Sequence, residues 1–150
     1  DGDRPLTPEA RQHAADLGHA LARHNVRFDD VVTSPYVRAV ETAELVLVGV
    51  GQPEGLRVAR ELLPEMPPAL MLHHVIEPAL AEGHLRLAIV GHEPSLGALL
   101  SLLLQRRNVR PSKGACVALQ LTGDVKARRA DLLWVMTPHQ LEPTASLDIL

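Results

Sequence analysis

Two side chains of this sequence, Arg38 and His92, could together bind an oxyanion and move a proton. Each follows a short apolar stretch, where a strand would end and a helix would begin. The planar guanidinium group of an arginine can hold two oxygens of a phosphate, and a histidine can supply a hydrogen bond or a proton. A helix N-terminus adds unpaired N–H groups and partial positive charge. The pair predicts a site for a tetrahedral anion, although an arginine such as Arg38, taken alone, is most often a solvated surface charge.

The stretch Leu85–Leu104 contains the elements that must position His92. Leu87–Val90 is an apolar run typical of a strand buried on both faces of a parallel sheet. Gly91 ends that strand, and Pro94 suits the first turn of a helix, where its missing N–H costs nothing. The helix is indicated by leucines at helical spacing, namely Leu96, Leu99, Leu100, Leu103 and Leu104.

An equivalent unit must position Arg38. It comprises a predicted strand within Phe28–Thr33 and a helix that begins at Ser34-Pro35, with Ser34 as its N-cap. In open α/β sheets, ligands bind outside the carboxyl ends of the strands. We therefore expect both junctions to lie at one edge of the sheet, with Arg38 and His92 facing one bound anion.

Helices and strands alternate through the rest of the chain. Further helices are predicted from Thr7-Pro8 and from about Ala69 to Ala81 with a split at Pro78; further strands at Leu56–Ala59, Gly114–Leu121 and Leu132–Met136; and a turn over 122–130. The last two strands are close enough in sequence to form an antiparallel edge pair, and the tail after Pro138 gives no signal. This order predicts one α/β domain over residues 1–150, a three-layer αβα sandwich with a mostly parallel central sheet.

Composition narrows the classes of partner and compartment. The chain has 150 residues, 46% of them hydrophobic, which suits one domain with one core. A net charge of −3 without long charged runs argues against a nucleic-acid or anionic-membrane partner. No apolar run approaches the length of a membrane span, and the first residues do not resemble a signal peptide. The single Cys116 allows no internal disulfide, so we expect a cytoplasmic protein.

Other residues that could do chemistry have simpler explanations. Ser34 and Ser95 could be nucleophiles, but neither lies in a G-x-S-x-G motif. The adjacent His73 and His74 point in different directions and have no acidic or thiol cluster near them in sequence, so no metal site is predicted.

Several stretches together resemble the histidine phosphatase superfamily, with its phosphoglycerate mutase-like fold, and in particular the SixA-like phosphohistidine phosphatases. They follow the family's order along nearly the whole chain: Asp3-Arg-Pro-Leu-Thr-Pro8, Ser34-Pro-Tyr-Val-Arg-Ala39 with Glu41-Thr-Ala43, Val90-Gly-His-Glu-Pro94, Lys113-Gly-Ala115 and Leu132-Leu-Trp-Val-Met-Thr-Pro138. The resemblance implies a phosphate pocket in which Arg38 is the second arginine and His92 the second histidine, both catalytic. We assign phosphate contacts to Arg38, His92 and Glu93.

The resemblance also implies a mechanism that needs no metal and no cofactor. A neutral histidine attacks phosphorus, and water then hydrolyses the phosphohistidine. The implied substrate is a phosphohistidine-bearing protein or a small phosphorylated molecule, and Glu61 and Glu93 are candidate proton donors. Two alternatives stay open: a non-catalytic phospho-ligand-binding module of the same fold, and a small-molecule phosphomonoesterase.

The sequence departs from the family at one point. The family's first strand ends in an Arg-His-Gly-type motif with the nucleophilic histidine and the first arginine, and this motif is absent here. We expect it upstream of Asp1, on a strand between those that carry Val31-Val32 and Leu87–Val90. Since these strands would otherwise expose backbone groups, we expect residues 1–150 alone to be insoluble or inactive.

Overall fold

A computed structural model describes residues 1–122 and 128–150, so the turn predicted over 122–130 lies mostly outside the described residues. The five α-helices of the described residues are α1 (Pro8–Arg23), α2 (Val37–Gly49), α3 (Pro68–Met71), α4 (Glu77–Ala81) and α5 (Ser95–Leu104). A π-helical segment, Leu72–Ile76, connects α3 to α4, so the helix predicted from Ala69 to Ala81 is divided before Pro78. None of the helices among the described residues is long and apolar enough to cross a membrane.

Six strands form two three-stranded sheets within the described residues. They are β1 (Asp30–Thr33), β2 (Leu56–Val58), β3 (Leu87–Val90), β4 (Cys116–Leu121), β5 (Ala130–Thr137) and β6 (Gln140–Thr144). The first sheet has the order β2-β1-β3 and is parallel; the second has the order β4-β5-β6 and is antiparallel. The predicted α/β class is confirmed, with more antiparallel pairing than expected because β6 occupies the tail that gave no sequence signal.

The predicted position of a further strand is wrong. Strands β1 and β3 pair directly, with Val31 opposite Ala88 and Thr33 opposite Val90, which leaves no room for a strand between them. Among the described residues, β3 and β4 each pair on one side only. Residues Leu87–Val90 are accordingly half-buried and not fully covered as predicted. Within the described residues, the free backbone edges are those of β2 and β3 in the first sheet and of β4 and β6 in the second.

The two sheets form one layer between two hydrophobic cores. One core lies on the side of α3 and α5, and Ile89 of β3 and Leu119 of β4 both pack against it. The other lies on the side of α1 and α2, and Val90 of β3 and Cys116 of β4 both pack against it. Because β3 and β4 contribute to the same two cores, the sheets lie side by side, as a three-layer sandwich requires.

The starts of the first two helices differ in how well the sequence predicted them. Thr7 caps α1 as expected, since its Oγ1 accepts a hydrogen bond from the Ala10 N–H at 3.1 Å. The predicted cap at Ser34 is wrong, because α2 begins at Val37 with Tyr36 at the N-cap. The hydroxyl group of Ser34 instead accepts a hydrogen bond from the Tyr36 N–H, before the helix begins.

The buried carboxylate of Asp30 forms contacts with residues near the amino ends of the other two parallel strands. Both carboxylate oxygens of Asp30 accept hydrogen bonds from Arg57, at 2.9 and 2.5 Å, and His84 Nδ1 lies 3.2 Å from Asp30 Oδ2. The hydrogen bonds from Arg57 hold the pKa of Asp30 below its usual value in spite of burial. These contacts lie at the end of the sheet opposite to Arg38 and His92.

Helices α1 and α2 cross at two glycines, which generates a first prediction. A Cβ atom on Gly49 would lie 2.6 Å from the Gly18 Cα, so the backbones touch where they cross. We expect Gly49→Ala to lower the free energy of unfolding by about 1–3 kcal/mol in denaturant titrations, since overpacking forces the helices apart. The control Val48→Ala, at a position 64% exposed on the same helix, should change it by less than about 0.5 kcal/mol. An unchanged value in Gly49→Ala would contradict this close crossing.

Candidate active site

The carboxyl ends of β1 and β3 bring the two predicted junctions together. The N–H of Ser34, directly after β1, donates a hydrogen bond to the carbonyl oxygen of Val90 at the end of β3, at 2.9 Å. The chain after Ser34 carries Arg38 on the first turn of α2, and the chain after Val90 carries His92. The site is thus assembled by the last backbone contact of a parallel strand pair.

The imidazole of His92 is half-buried and held on two sides. Its Nε2 lies 2.7 Å from the Oγ of Ser34, a fully buried side chain. The ring of Tyr36 lies against it, with ring centroids 5.1 Å apart and planes inclined by 51°. These contacts restrict the ring to one orientation.

The guanidinium group of Arg38 lies on the same tyrosine. Its Cζ is 4.9 Å from the centroid of the Tyr36 ring, within cation–π range. The Nη1 donates to the main-chain oxygen of Asp1 at 3.2 Å, and Nη2 lies 3.6 Å from Asp1 Oδ2. Arg38 and His92 therefore both contact Tyr36, and Asp1 presents oxygens to Arg38 in the way that a bound anion would.

The electrostatics of the site keep His92 uncharged. Burial, and secondly the positive charge of Arg38, lower the pKa of His92 to about 4. At neutral pH the imidazole is neutral and carries one N–H donor and one acceptor nitrogen. The positive charge available to an anion therefore comes from Arg38, and His92 can add a hydrogen bond.

Glu93 has a different environment from the one expected of a phosphate ligand. Its carboxylate accepts a hydrogen bond from the Gly97 N–H at 2.6 Å, in the first turn of α5. A Cβ atom on Gly97 would lie 2.6 Å from Glu93 Oε2, so the carboxylate fits closely over this glycine. This contact stabilises the helix N-terminus, and a carboxylate used in this way would repel a phosphate. We therefore leave Glu93 out of the proposed phosphate contacts.

The other candidates of the sequence lie outside this group of contacts. Ser95, at the start of α5, donates its hydroxyl to the backbone oxygen of His92 at 3.0 Å. Glu61 lies in a 3-10 turn, Arg60–Leu62, whose Leu62 carbonyl approaches the end of β3 at Gly91. Among the described residues, no group of three or more His, Cys, Asp and Glu side chains could hold a metal ion.

Sequence reasoning missed the residues that join Arg38 to His92. Ser34 was predicted to be an N-cap, and Tyr36 was given no role. A signal was present, because both lie between the end of a strand and the arginine. The sequence predicted that both junctions lie at one edge of the sheet, but with a further strand between them, so it did not predict that Ser34 and Tyr36 contact His92 directly.

Comparisons with known proteins agree with this fold. The family model described as histidine phosphatase superfamily (branch 1) matches residues 1–63. An uncharacterized protein of Picosynechococcus sp. (strain PCC 7002) is 32% identical over 97 residues, which cover 65% of this chain and 58% of that protein. The chain therefore spans less than two thirds of the length of this curated relative.

Two solved structures resemble nearly the whole chain. The protein histidine phosphatase SixA complexed with tungstate has a TM-score of 0.83 at 24% identity, covering 95% of this chain and 89% of its own. A structure assigned to SixA from Nakamurella multipartitia has a TM-score of 0.68 at 27% identity, covering 92% of this chain and 87% of its own. The chain thus resembles the histidine phosphatase superfamily, in the sequence of residues 1–63 and in the fold of nearly the whole chain. Within it, the resemblance to the SixA-like branch predicted from the sequence is confirmed.

The environment of His92 generates a second prediction. In an NMR titration of the intact protein, His92 should protonate with a midpoint near pH 4 instead of near 6.5. Arg38→Ala should raise the midpoint by less than the whole shift, because burial is the larger cause. The control Arg27→Ala removes an exposed charge shortly before β1, at the far end of that strand, and should leave the midpoint unchanged. A wild-type midpoint above pH 6 would contradict this description of the site.

Proposed function

We propose that the protein is a phosphatase that works through a covalent phosphohistidine intermediate, and that its substrate is a phosphohistidine-bearing protein. The observation that carries the proposal is the meeting of Arg38 and His92 on Tyr36, at the carboxyl ends of two paired parallel strands. This is the edge at which open α/β sheets bind ligands. The match of residues 1–63 to the histidine phosphatase superfamily supports the same reaction class.

Each residue of the site has a distinct part in the proposed reaction. Arg38 holds oxygens of the phosphoryl group with charge-assisted hydrogen bonds, in place of the oxygens of Asp1 that it contacts now. Neutral His92 donates one hydrogen bond to the same group. As an attacking nitrogen bonds to phosphorus and the leaving group departs, charge shifts on the phosphoryl oxygens, and these contacts stabilise it. In the second step, water attacks phosphorus and releases inorganic phosphate.

We further propose that the attacking histidine comes from a strand that pairs with β3 and β4. These two strands contribute side chains to the same two cores, and each has one free edge within the described residues. A strand parallel to β3 in that position would end beside His92. The family's Arg-His-Gly-type motif would then meet Arg38 and His92. This position replaces the one between β1 and β3 that the sequence had suggested.

The proposed substrate class follows from the chemistry of the leaving group. When the P–N bond of a phosphoramidate breaks, the nitrogen of the leaving group can already carry a proton. Its hydrolysis therefore depends less on a separate acid than the hydrolysis of a phosphate ester does. Among the described residues, no acidic side chain forms a hydrogen bond or ion pair with the His92 ring, and the carboxylate that contacts Arg38 is that of Asp1. This favours a phosphohistidine over an alkyl phosphate. A cytoplasmic location is part of this proposal.

A non-catalytic phospho-ligand-binding module is the second candidate. It is favoured by one observation, namely that Arg38 and His92 form an anion site by themselves and neither is placed as a nucleophile. An enzyme would transfer the phosphoryl group to one of its own histidines, whereas a binding module would only hold it.

The third prediction tests the anion site. Arg38→Ala should weaken phosphate or tungstate binding to the intact protein about 10- to 100-fold by calorimetry, since a charge-assisted hydrogen bond contributes roughly 1.5–3 kcal/mol. Its melting temperature should change little, because the contacts with Asp1 are partly exposed. Arg27→Ala is the matched control and should retain the wild-type affinity. Equal affinities in wild type and Arg38→Ala would exclude this site.

The fourth prediction separates the enzyme from the binding module. The intact protein should release phosphate from a phosphohistidine protein faster than from p-nitrophenyl phosphate, and it should trap an acid-labile, base-stable phosphoryl group during turnover. His92→Ala should slow both steps. Phosphate binding without any turnover would leave the binding module, and faster hydrolysis of small esters would indicate a small-molecule phosphomonoesterase. A polypeptide of residues 1–150 that turns over either substrate would contradict our placement of the nucleophile.

A further inference from the structure

The hydroxyl group of Ser34 lies at the centre of the contacts around His92. The side chain is fully buried. Its Oγ accepts a hydrogen bond from the Tyr36 N–H at 3.2 Å and lies 2.7 Å from His92 Nε2. The backbone of Ser34 is fixed as well, since its N–H is bonded to the carbonyl oxygen of Val90. Ser34 therefore presents its hydroxyl to the imidazole from a rigid position.

Counting hydrogens assigns the direction of this bond. A serine hydroxyl has one hydrogen to donate and two lone pairs that accept. The Tyr36 N–H occupies one lone pair. If His92 Nε2 also donated, the hydroxyl hydrogen of Ser34 would need a third partner, and a buried donor without one costs about 1–3 kcal/mol. Among the described residues, the Oγ of Ser34 contacts the Tyr36 N–H and His92 Nε2, so the acceptor within reach of this hydrogen is His92 Nε2.

We infer that Ser34 donates its hydroxyl hydrogen to Nε2 of His92 and so holds the neutral imidazole in the tautomer that carries its proton on Nδ1. Ser34 is then a positioning residue that acts through His92. The inference deepens the proposed function, because the Nδ1–H becomes the single donor that His92 can offer to a phosphoryl oxygen. A neutral imidazole without this contact could place its hydrogen on either nitrogen, and one of the two forms would present a lone pair to the anion.

The contact has a second consequence for the charge of His92. A hydrogen bond donated to Nε2 exists only while that nitrogen is unprotonated, so it favours the neutral form. It acts in the same direction as the burial of the ring and the charge of Arg38. Removal of the Ser34 hydroxyl should therefore raise the midpoint at which His92 protonates.

The direct test is the tautomer itself. Two-bond ¹H–¹⁵N correlation spectra of the intact, ligand-free protein at pH 7 distinguish a protonated Nδ1 from a protonated Nε2. We expect His92 to show the Nδ1–H pattern, and an Nε2–H pattern would overturn the inference. This measurement needs neither a variant nor turnover. A protein that shows the Nδ1–H tautomer but binds no phosphate would contradict the proposed function and leave the Ser34 assignment standing.

Variants test the role of the hydroxyl. Ser34→Ala should populate the Nε2–H tautomer, raise the protonation midpoint of His92, and weaken phosphate binding roughly tenfold. Ser34→Thr keeps a hydroxyl and should restore the wild-type tautomer. The control is Ser95→Ala, which removes another buried hydroxyl that contacts the backbone oxygen of His92 and not its ring. An unchanged tautomer in Ser34→Ala, or an equal change in Ser95→Ala, would overturn the inference.

Discussion

The site depends on the direct parallel pairing of β1 with β3. Each strand end leads to a helix, and each connection carries one polar group that can meet an anion. The hydrogen bond from the Ser34 N–H to the Val90 carbonyl oxygen brings the two connections within side-chain reach. Tyr36 then fills the space between Arg38 and His92, so that neither side chain depends on a ligand for its position.

The same pairing explains how the rest of the molecule is arranged. Residues of β3 alternate between two cores, with Ile89 on the side of α5 and Val90 on the side of α1 and α2. Strand β4 alternates between the same cores although no ladder joins it to β3 within the described residues. The two sheets thus share both cores although no backbone hydrogen bonds of the described residues join them. The proposed strand between β3 and β4 would join the two sheets through such hydrogen bonds.

Local patterns in the sequence predicted where helices and strands lie better than they predicted which strands pair with each other. The strand at Leu87–Val90 and the cap at Thr7 depend on local features, and both were predicted correctly. The order of strands depends on contacts distant in sequence, and so the strand expected between β1 and β3 was misplaced. Strand β6 was missed because Glu142 and Pro143 disfavour a strand in isolation. Ser34 was assigned to a cap for a similar reason, since its partner His92 is 58 residues away.

At neutral pH, Arg38 is charged and His92 is not, and this difference determines how the site could interact with an anion. A second cation beside Arg38 would bind phosphate more tightly in the ground state, which does not by itself speed the reaction. A neutral histidine adds a directed hydrogen bond without holding the product phosphate by a further full charge. Burial and the nearby guanidinium group keep His92 neutral, and a buried hydroxyl at Nε2 selects which nitrogen carries its hydrogen. In the proposed function, the affinity of the site for phosphate therefore comes from the permanent charge of Arg38, and the orientation of the phosphate from the N–H of His92.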